Sequence, residues 1–246
     1  QLAETRLQEA EKLAVQGNLT SDNQAQIDDD FNEHADAVAK SIDKLNSDKM
    51  YGNAEKIASN FEASLKAHSQ ILEKIKNREN HNSKDQEDMS LLIDKVNSQA
   101  IKTSDLNVIS VNNVINSLGL KAHAKEKAVQ NSLESAQESI DEVKDMIENQ
   151  EDGIGANAIS QIQDNLDLAE QKISDGQDKL SGDNKDYARA MLLFSQANII
   201  AKQSRNMIRA KNNLGIEINM DINSNRDYNS HNRGDQNNNS ENQEDR

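Results

Sequence analysis

Residues 54–75 read AEKIASNFEASLKAHSQILEKI, and this stretch decides the fold. One row of positions in it recurs in alternating steps of four and three residues: Ala54, Ala58, Phe61, Leu65, His68, Leu72 and Ile75. This spacing places one side chain per turn on the same face of an α-helix, as in helices that pack side by side. The stretch therefore predicts an amphipathic helix whose apolar face is buried against other helices.

Similar rows of apolar residues recur along most of the chain, with breaks at polar or glycine-containing turns. They occupy residues 2–14, 27–45, 89–100, 129–147, 159–180 and 187–208. The last row has a second apolar stripe beside it, which predicts that this helix is the most buried. We therefore expect an all-α protein, an elongated antiparallel bundle of six or seven helices with coiled-coil-like hairpins.

The composition agrees with a helical protein and excludes several other classes. The 246 residues include no proline, cysteine or tryptophan, and aromatic residues make up 2%. A chain of this length with average composition would contain roughly twelve prolines. The absence of cysteine excludes a disulfide scaffold and any thiol or zinc-thiolate enzyme, and the mean hydropathy of -0.91 excludes a membrane-spanning helix.

The breaks divide the chain into four parts. Residues 1–82 are predicted to form a three-helix unit, and residues 152–214 a helical hairpin. Between them, residues 83–151 are predicted to form one long helix, with a kink or break between Ser104 and Gly119 preferred over an uninterrupted helix. Residues 215–246 are predicted to be a short strand-like segment followed by a disordered, asparagine-rich acidic tail.

The charge of the chain limits its partners. Its 28 basic residues are scattered among 43 acidic ones, and the net charge is -15. Nucleic-acid binding needs clustered lysine and arginine, so we expect no nucleic-acid partner. Binding to an anionic membrane surface is disfavoured for the same reason. A protein partner or self-association is therefore expected.

Two patterns that resemble sites of chemistry have simpler interpretations. The run Gly153-Ile-Gly155-Ala-Asn-Ala158 has the spacing of a relaxed dinucleotide-binding loop, but such loops follow a β-strand, so we interpret it as an interhelix linker. None of the five histidines has the helical spacing of a metal site, and His68 is interpreted as a packing residue. We therefore predict no enzyme activity, no catalytic or metal-binding residue, and no cofactor.

After Gly215 the periodicity changes from helical to alternating. The apolar residues alternate with polar ones, as in a β-strand, and they are Ile216, Ile218, Met220 and Ile222. A lone strand is marginal without a partner. Two interpretations stay open: the segment pairs with a second copy or a partner sheet, or it lies as an extended tail on the bundle. These four residues are the predicted interaction site.

The residues after this segment alternate as in a calcium-binding loop: Asp221, Asn223, Asn225, Asp227 and Asn229. However, Arg226 replaces the glycine that such a loop requires, and Asn232 replaces its bidentate glutamate. Weak calcium binding is therefore the less favoured interpretation.

The opening run ETRLQEAEKLAVQGNL, residues 4–19, resembles the start of a family of secreted helical proteins from uncultivated archaea and candidate-phylum bacteria, known as a domain of unknown function. The run from Gly182 to Ala190, with the pattern Gly-Asp-x-x-x-Tyr-Ala-x-Ala, is also similar to that family. The resemblance covers about residues 1–80 and 155–214. It implies an extracellular or cell-envelope location, with a signal or anchor segment upstream of Gln1.

Two functions follow as expectations. The first is a non-enzymatic secreted or cell-surface structural or interaction protein that acts through helix faces and self-assembles through residues 216–222. The second is a periplasmic-type helical chaperone or binding module. Leu19-Thr20 is similar to the Leu-Thr-x-x-Gln motif of small periplasmic helical chaperones, although Gln24 stands one position later than that motif requires.

Overall fold

The computed structural model of the chain describes residues 1–77, 83–149 and 156–215. These residues form seven α-helices and no strand, which confirms the predicted all-α class. In chain order the helices are α1 (Leu2–Val15), α2 (Ser21–Ser47), α3 (Tyr51–Lys76), α4 (Ser83–Ser117), α5 (Ala122–Glu148), α6 (Ala156–Asp178) and α7 (Tyr187–Leu214).

Side-chain contacts show how neighbouring helices are oriented. Ser69 Oγ of α3 donates a hydrogen bond to Asn97 Oδ1 of α4 at 2.6 Å, and Lys76 Nζ donates to Ser90 Oγ at 3.3 Å. The residue number in α4 falls as the residue number in α3 rises, so these two helices are antiparallel. They make the most extensive helix–helix contact among the described residues.

Helices α1, α3 and α7 run in the same direction. Between α3 and α7, Ser195 Oγ donates to Glu55 Oε1 at 3.1 Å and Lys202 Nζ donates to Asn60 Oδ1 at 2.7 Å. The residue numbers of the two helices rise together, so these helices are parallel. Helix α1 has the direction of α3 because two short turns connect it to α3 through α2. Three parallel helices therefore lie side by side, and they form the site described below.

One hydrophobic core contains residues of all seven helices, so the predicted units 1–82, 83–151 and 152–214 share a single interior. Helix α3 has 14 buried residues and α7 has 13. The sequence predicted that the last helix would be the most buried, whereas α3 is buried to the same degree. The reason is that α3 packs against four helices, α1, α2, α4 and α7.

Residues 83–151 were predicted as a long helix with a kink or break preferred between Ser104 and Gly119, and the described residues of this part form two helices. Helix α4 ends at Ser117 and α5 begins at Ala122. Gly119 between them has a φ of +56°, a left-handed conformation that ends a helix and that glycine adopts at little cost. The break thus falls at the C-terminal limit of the interval that the sequence indicated.

Several predicted features lie outside the described residues. These are the interaction residues Ile216, Ile218, Met220 and Ile222, the calcium-like alternation from Asp221, and the glycines of the dinucleotide-like run. The last described residue, Gly215, has a φ of +62° and donates its amide hydrogen to the carbonyl oxygen of Lys211 at 2.9 Å. Among the described helices, none has a stretch long and apolar enough to cross a membrane.

Candidate functional site

A groove of about 770 Å³ lies between α1 and α7, with α3 as its floor. Both outer helices pack against α3 but barely touch each other, and this leaves the recess open. Its walls consist of Glu4, Gln8, Glu11 and Lys12 from α1; Asn60, Ser64, His68 and Ile71 from α3; and Lys202, Arg205, Asn206, Arg209, Ala210, Asn213 and Leu214 from α7.

The lining is polar and carries charges of both signs. Four basic side chains line the groove against two acidic ones, an excess of two positive charges without His68. The acidic residues Glu4 and Glu11 are on the α1 wall, whereas three of the four basic residues are on the α7 wall. A positive surface in a chain of net charge -15 is an unusual local feature, and it favours an anionic ligand.

Lys202 on the α7 wall and Lys12 on the α1 wall form no ion pair among the residues that the structure describes. Lys202 Nζ donates a hydrogen bond to Asn60 Oδ1 at 2.7 Å. Burial lowers the pKa of Lys202 below its ordinary value, and the nearby positive charge of Arg205 lowers it further. An anion placed beside Lys202 would therefore stabilise its charged form.

The two arginines of the α7 wall are held from behind by helix α5. Arg205 Nη1 lies 2.8 Å from Glu142 Oε2, and Arg209 Nη2 lies 3.1 Å from Glu142 Oε1. One carboxylate thus orients both guanidinium groups and neutralises only part of their charge. Within the described part of the chain, the buried Nε of Arg205 has no hydrogen-bond partner.

The floor of the groove contains a buried acid–histidine pair. His68 Nδ1 lies 2.7 Å from Glu11 Oε1, and this contact joins α3 to α1. Burial by itself would lower the pKa of His68, but the charge and hydrogen bond of Glu11, with the charge of Glu4, raise it above its ordinary value. The pair links two helices and adds a titratable group beneath the recess.

The structure places His68 where its spacing predicted, on the buried face of α3, and gives it a polar partner. The basic wall was not predicted. Its signal in the sequence was the spacing of Lys202, Arg205 and Arg209, which puts three cations on one face of α7. The two apolar stripes from which this helix was predicted do not include these three residues. Within the described ranges, no three histidine, aspartate or glutamate side chains are grouped as metal ligands.

Comparisons with protein-family models, with curated proteins and with solved structures give no match to this chain. The fold class and the groove are therefore the features from which a function is inferred.

Proposed function

We propose that this chain is a non-enzymatic interaction protein of the cell surface or extracellular space, and that it binds other polypeptides through its helix faces. The observation that supports the proposal is the open groove between α1, α3 and α7. Its walls belong to helices that share one core, so they present charged side chains from a stable support. The extracellular setting comes from the family resemblance of residues 1–80 and 155–214.

The charge of the groove indicates an acidic segment as its ligand. Lys202 has no carboxylate partner among the described residues, and Arg205 and Arg209 share a single one. Carboxylates form strong, oriented hydrogen bonds with such cations, and charge complementarity determines which partner is selected. The rest of the chain repels anions, so binding of an acidic peptide depends on this local surface.

The groove supports this function better than the chaperone alternative. A site that holds apolar segments needs a largely apolar lining, whereas the only purely apolar residues of this groove are Ile71, Ala210 and Leu214. The exposed aliphatic residues of α4 (Leu91, Ile101 and Ile109) lie at separate turns of the helix. Scattered exposed residues of this kind are common on protein surfaces.

The test measures binding of a synthetic peptide to the full chain through changes in the chemical shifts of backbone amides. The peptide consists of five serine–glutamate pairs, with an acetylated N-terminus and an amidated C-terminus. The peptide should shift the amides of Asn60, Ser64 and Asn206. The variant K202Q/R209Q should weaken binding by about tenfold, which corresponds to about 1.4 kcal/mol.

The matched variant K40Q/K44Q, which neutralises two exposed lysines of α2, should leave the affinity unchanged. Absence of shifts in the groove, or equal weakening by both variants, would overturn the proposal.

A further inference from the structure

The histidine in the floor of the groove has a ring nitrogen that its buried partner does not use. We propose that His68, with its ring protonated, donates a hydrogen bond from Nε2 to a carboxylate of the bound acidic segment, at a subsite between Lys12 of α1 and Arg209 of α7. This inference rests on the proposed function, since it takes the groove as a site for acidic polypeptide segments. It adds a named carboxylate subsite and couples binding to the uptake of one proton.

The hydrogen bonding of the imidazole ring determines when His68 binds an anion. Its Nδ1 lies 2.7 Å from Oε1 of Glu11, and because an ionised carboxylate only accepts hydrogen bonds, Nδ1 carries a hydrogen. In the neutral ring Nε2 is then an acceptor, whereas in the protonated ring it is a donor. His68 lines the groove and has no second hydrogen-bond partner among the described residues. A ligand carboxylate therefore pairs with the protonated ring only.

Three basic side chains line the groove at the same level. Lys202 of α7 donates its hydrogen bond to Asn60 of α3, and Arg209 follows Lys202 by seven residues while His68 follows Asn60 by eight. Because the two helices are parallel and rise about 1.5 Å per residue, Arg209 and His68 both lie roughly 11–12 Å beyond that contact. Lys12 directly follows the residue of α1 that pairs with His68. The three walls thus place a carboxylate subsite at one level.

Protonation of the ring also changes the charge beneath the ligand. When His68 is neutral, the buried carboxylate of Glu11 leaves one negative charge in the floor, which repels an anion. When His68 is protonated, this charge is balanced, and the positive excess of the groove lining rises from two to three. A bound carboxylate therefore stabilises the protonated ring, and by linkage the protonated ring binds the carboxylate more tightly.

The charged groups that face His68 belong to α1 and α7. Glu11 and Glu4 of α1 raise the pKa of His68 above the ordinary 6.5, although burial by itself would lower it. Arg205 and Arg209 line the same groove from α7. Helices α2 and α4 also pack against α3, but among the described residues none of their charged groups contributes to this pKa. Binding should therefore be tightest below the folded pKa and weaken as the pH rises through it.

The direct test follows the ring signals of His68 by NMR in the full chain from about pH 5.5 to about pH 9. The titration is made without peptide and with a saturating amount of the serine–glutamate peptide. The pKa of His68 should be higher in the bound chain. This measurement needs no substitution, so it does not depend on whether a variant folds. A pKa that is unchanged or lower, while the groove amides show that the peptide is bound, would overturn the inference.

The affinity for the same peptide gives a second arm. The Kd of the natural chain should be about fivefold lower at about pH 6 than at about pH 8.5, and His34→Gln on α2 should keep this ratio. His68→Gln should bind the peptide with nearly the same Kd at both pH values. If His68→Gln keeps the full ratio, a group other than His68, such as Lys202, takes up the proton and the inference is wrong.

Two further variants locate the subsite. K12Q/R209Q removes the cations beside His68, so a saturating amount of peptide should no longer raise the pKa of His68. K202Q removes a cation about 12 Å away along the groove, and it should weaken binding but leave that rise in place. The opposite result would place the ligand carboxylate away from His68 and overturn the inference.

The natural chain separates this inference from the proposed function. Equal and measurable binding of the peptide at both pH values would support the groove as a peptide site and overturn the role of His68. Absence of binding at either pH would overturn the proposed function itself.

Discussion

His68 Nδ1 of α3 and Glu11 Oε1 of α1 are 2.7 Å apart, and both side chains are almost completely buried beneath the groove. The two residues are 57 positions apart in the chain. Helix α1 is the shortest of the described helices and packs mainly against α2 and α3, so this contact is a main polar link between it and the core. The stability of the groove wall formed by α1 should therefore depend on the pair.

The first prediction concerns pH. The pKa of His68 in the folded chain is raised above the ordinary value of 6.5 that applies to the unfolded chain. Its contribution to stability is then fully present below about pH 6.5 and is lost as the pH rises through the folded pKa. In urea unfolding, the natural chain should exceed His68→Gln in free energy of unfolding by more at about pH 6 than at about pH 9.

His34→Gln is the matched control for that measurement, since His34 is a half-buried residue of α2 with no ion pair among the described residues. Its effect on the free energy of unfolding should be small and should not change between the two pH values. A difference between the natural chain and His68→Gln that is the same at both pH values would show that His68 is not coupled to Glu11 as described.

The second prediction concerns the energy of the pair. His68→Leu leaves the Glu11 carboxylate buried without its partner, and loss of one member of a buried ion pair costs about 3 kcal/mol or more. The double variant E11L/H68L removes both polar groups, so it should cost less than the sum of the two single changes. A double-mutant cycle by chemical denaturation measures this coupling.

The exposed pair Lys102 and Asp36, whose atoms Nζ and Oδ1 are 2.9 Å apart, is the control for the cycle. Its coupling should be below about 1 kcal/mol because solvent screens exposed ion pairs. Equal coupling in the two pairs would mean that burial does not strengthen the His68–Glu11 contact.

The helices were predictable from the sequence because the spacing of apolar residues is a local property. Residues 54–75 show this directly, since six of the seven positions in the predicted row are apolar side chains that the structure buries. The break at Gly119 was harder to locate, because a glycine inside a helix costs only about 1 kcal/mol and does not by itself end it. In the folded chain α4 packs mainly on α3 and α5 mainly on α7, and the break separates these two packing surfaces.

The groove was not predictable in the same way. His68 had a helical position but no visible partner, since Glu11 reaches it only after α1 and α3 come to lie side by side. The surroundings of Lys202 were likewise not visible in the sequence, since Asn60, which accepts its hydrogen bond, reaches it only after α3 and α7 come to lie side by side. Spacing predicts which face of a helix is buried, and it does not predict which helix covers that face.

The third prediction concerns the approach of α6 to α7. A Cβ atom added to Gly176 would lie 2.4 Å from Cε1 of Phe194, which is completely buried. Gly176→Ala should therefore lower the free energy of unfolding by about 1–3 kcal/mol, the cost of overpacking a core. Urea unfolding measures the change, and the added substitution Phe194→Leu should recover part of the loss by making room for the methyl group.

Gly52→Ala is the control, because a Cβ at Gly52 would meet no atom within 4 Å. Gly52 belongs to the first turn of α3, where alanine should be neutral or stabilise by up to about 1 kcal/mol. If both substitutions destabilise the chain equally, the close contact of Gly176 with Phe194 is not the cause.

The fourth prediction concerns Glu55, which lies between α3 and α7 and accepts a hydrogen bond from Ser195 Oγ at 3.1 Å. Burial raises the pKa of Glu55 above the ordinary 4.5, although the Ser195 hydrogen bond and the charge of Lys202 oppose this. A raised folded pKa means that its contribution to stability is largest below about pH 4.5 and is lost as the pH rises through the folded value. Glu55→Gln keeps the size and an acceptor but removes the charge of this half-buried side chain. It should therefore raise the Tm at about pH 7 and leave it nearly unchanged at about pH 4.

The exposed Glu33→Gln on α2 should not reproduce this difference between the two pH values. A Tm that falls at neutral pH would mean that the ionised carboxylate stabilises the contact between α3 and α7, in conflict with a pKa raised by burial.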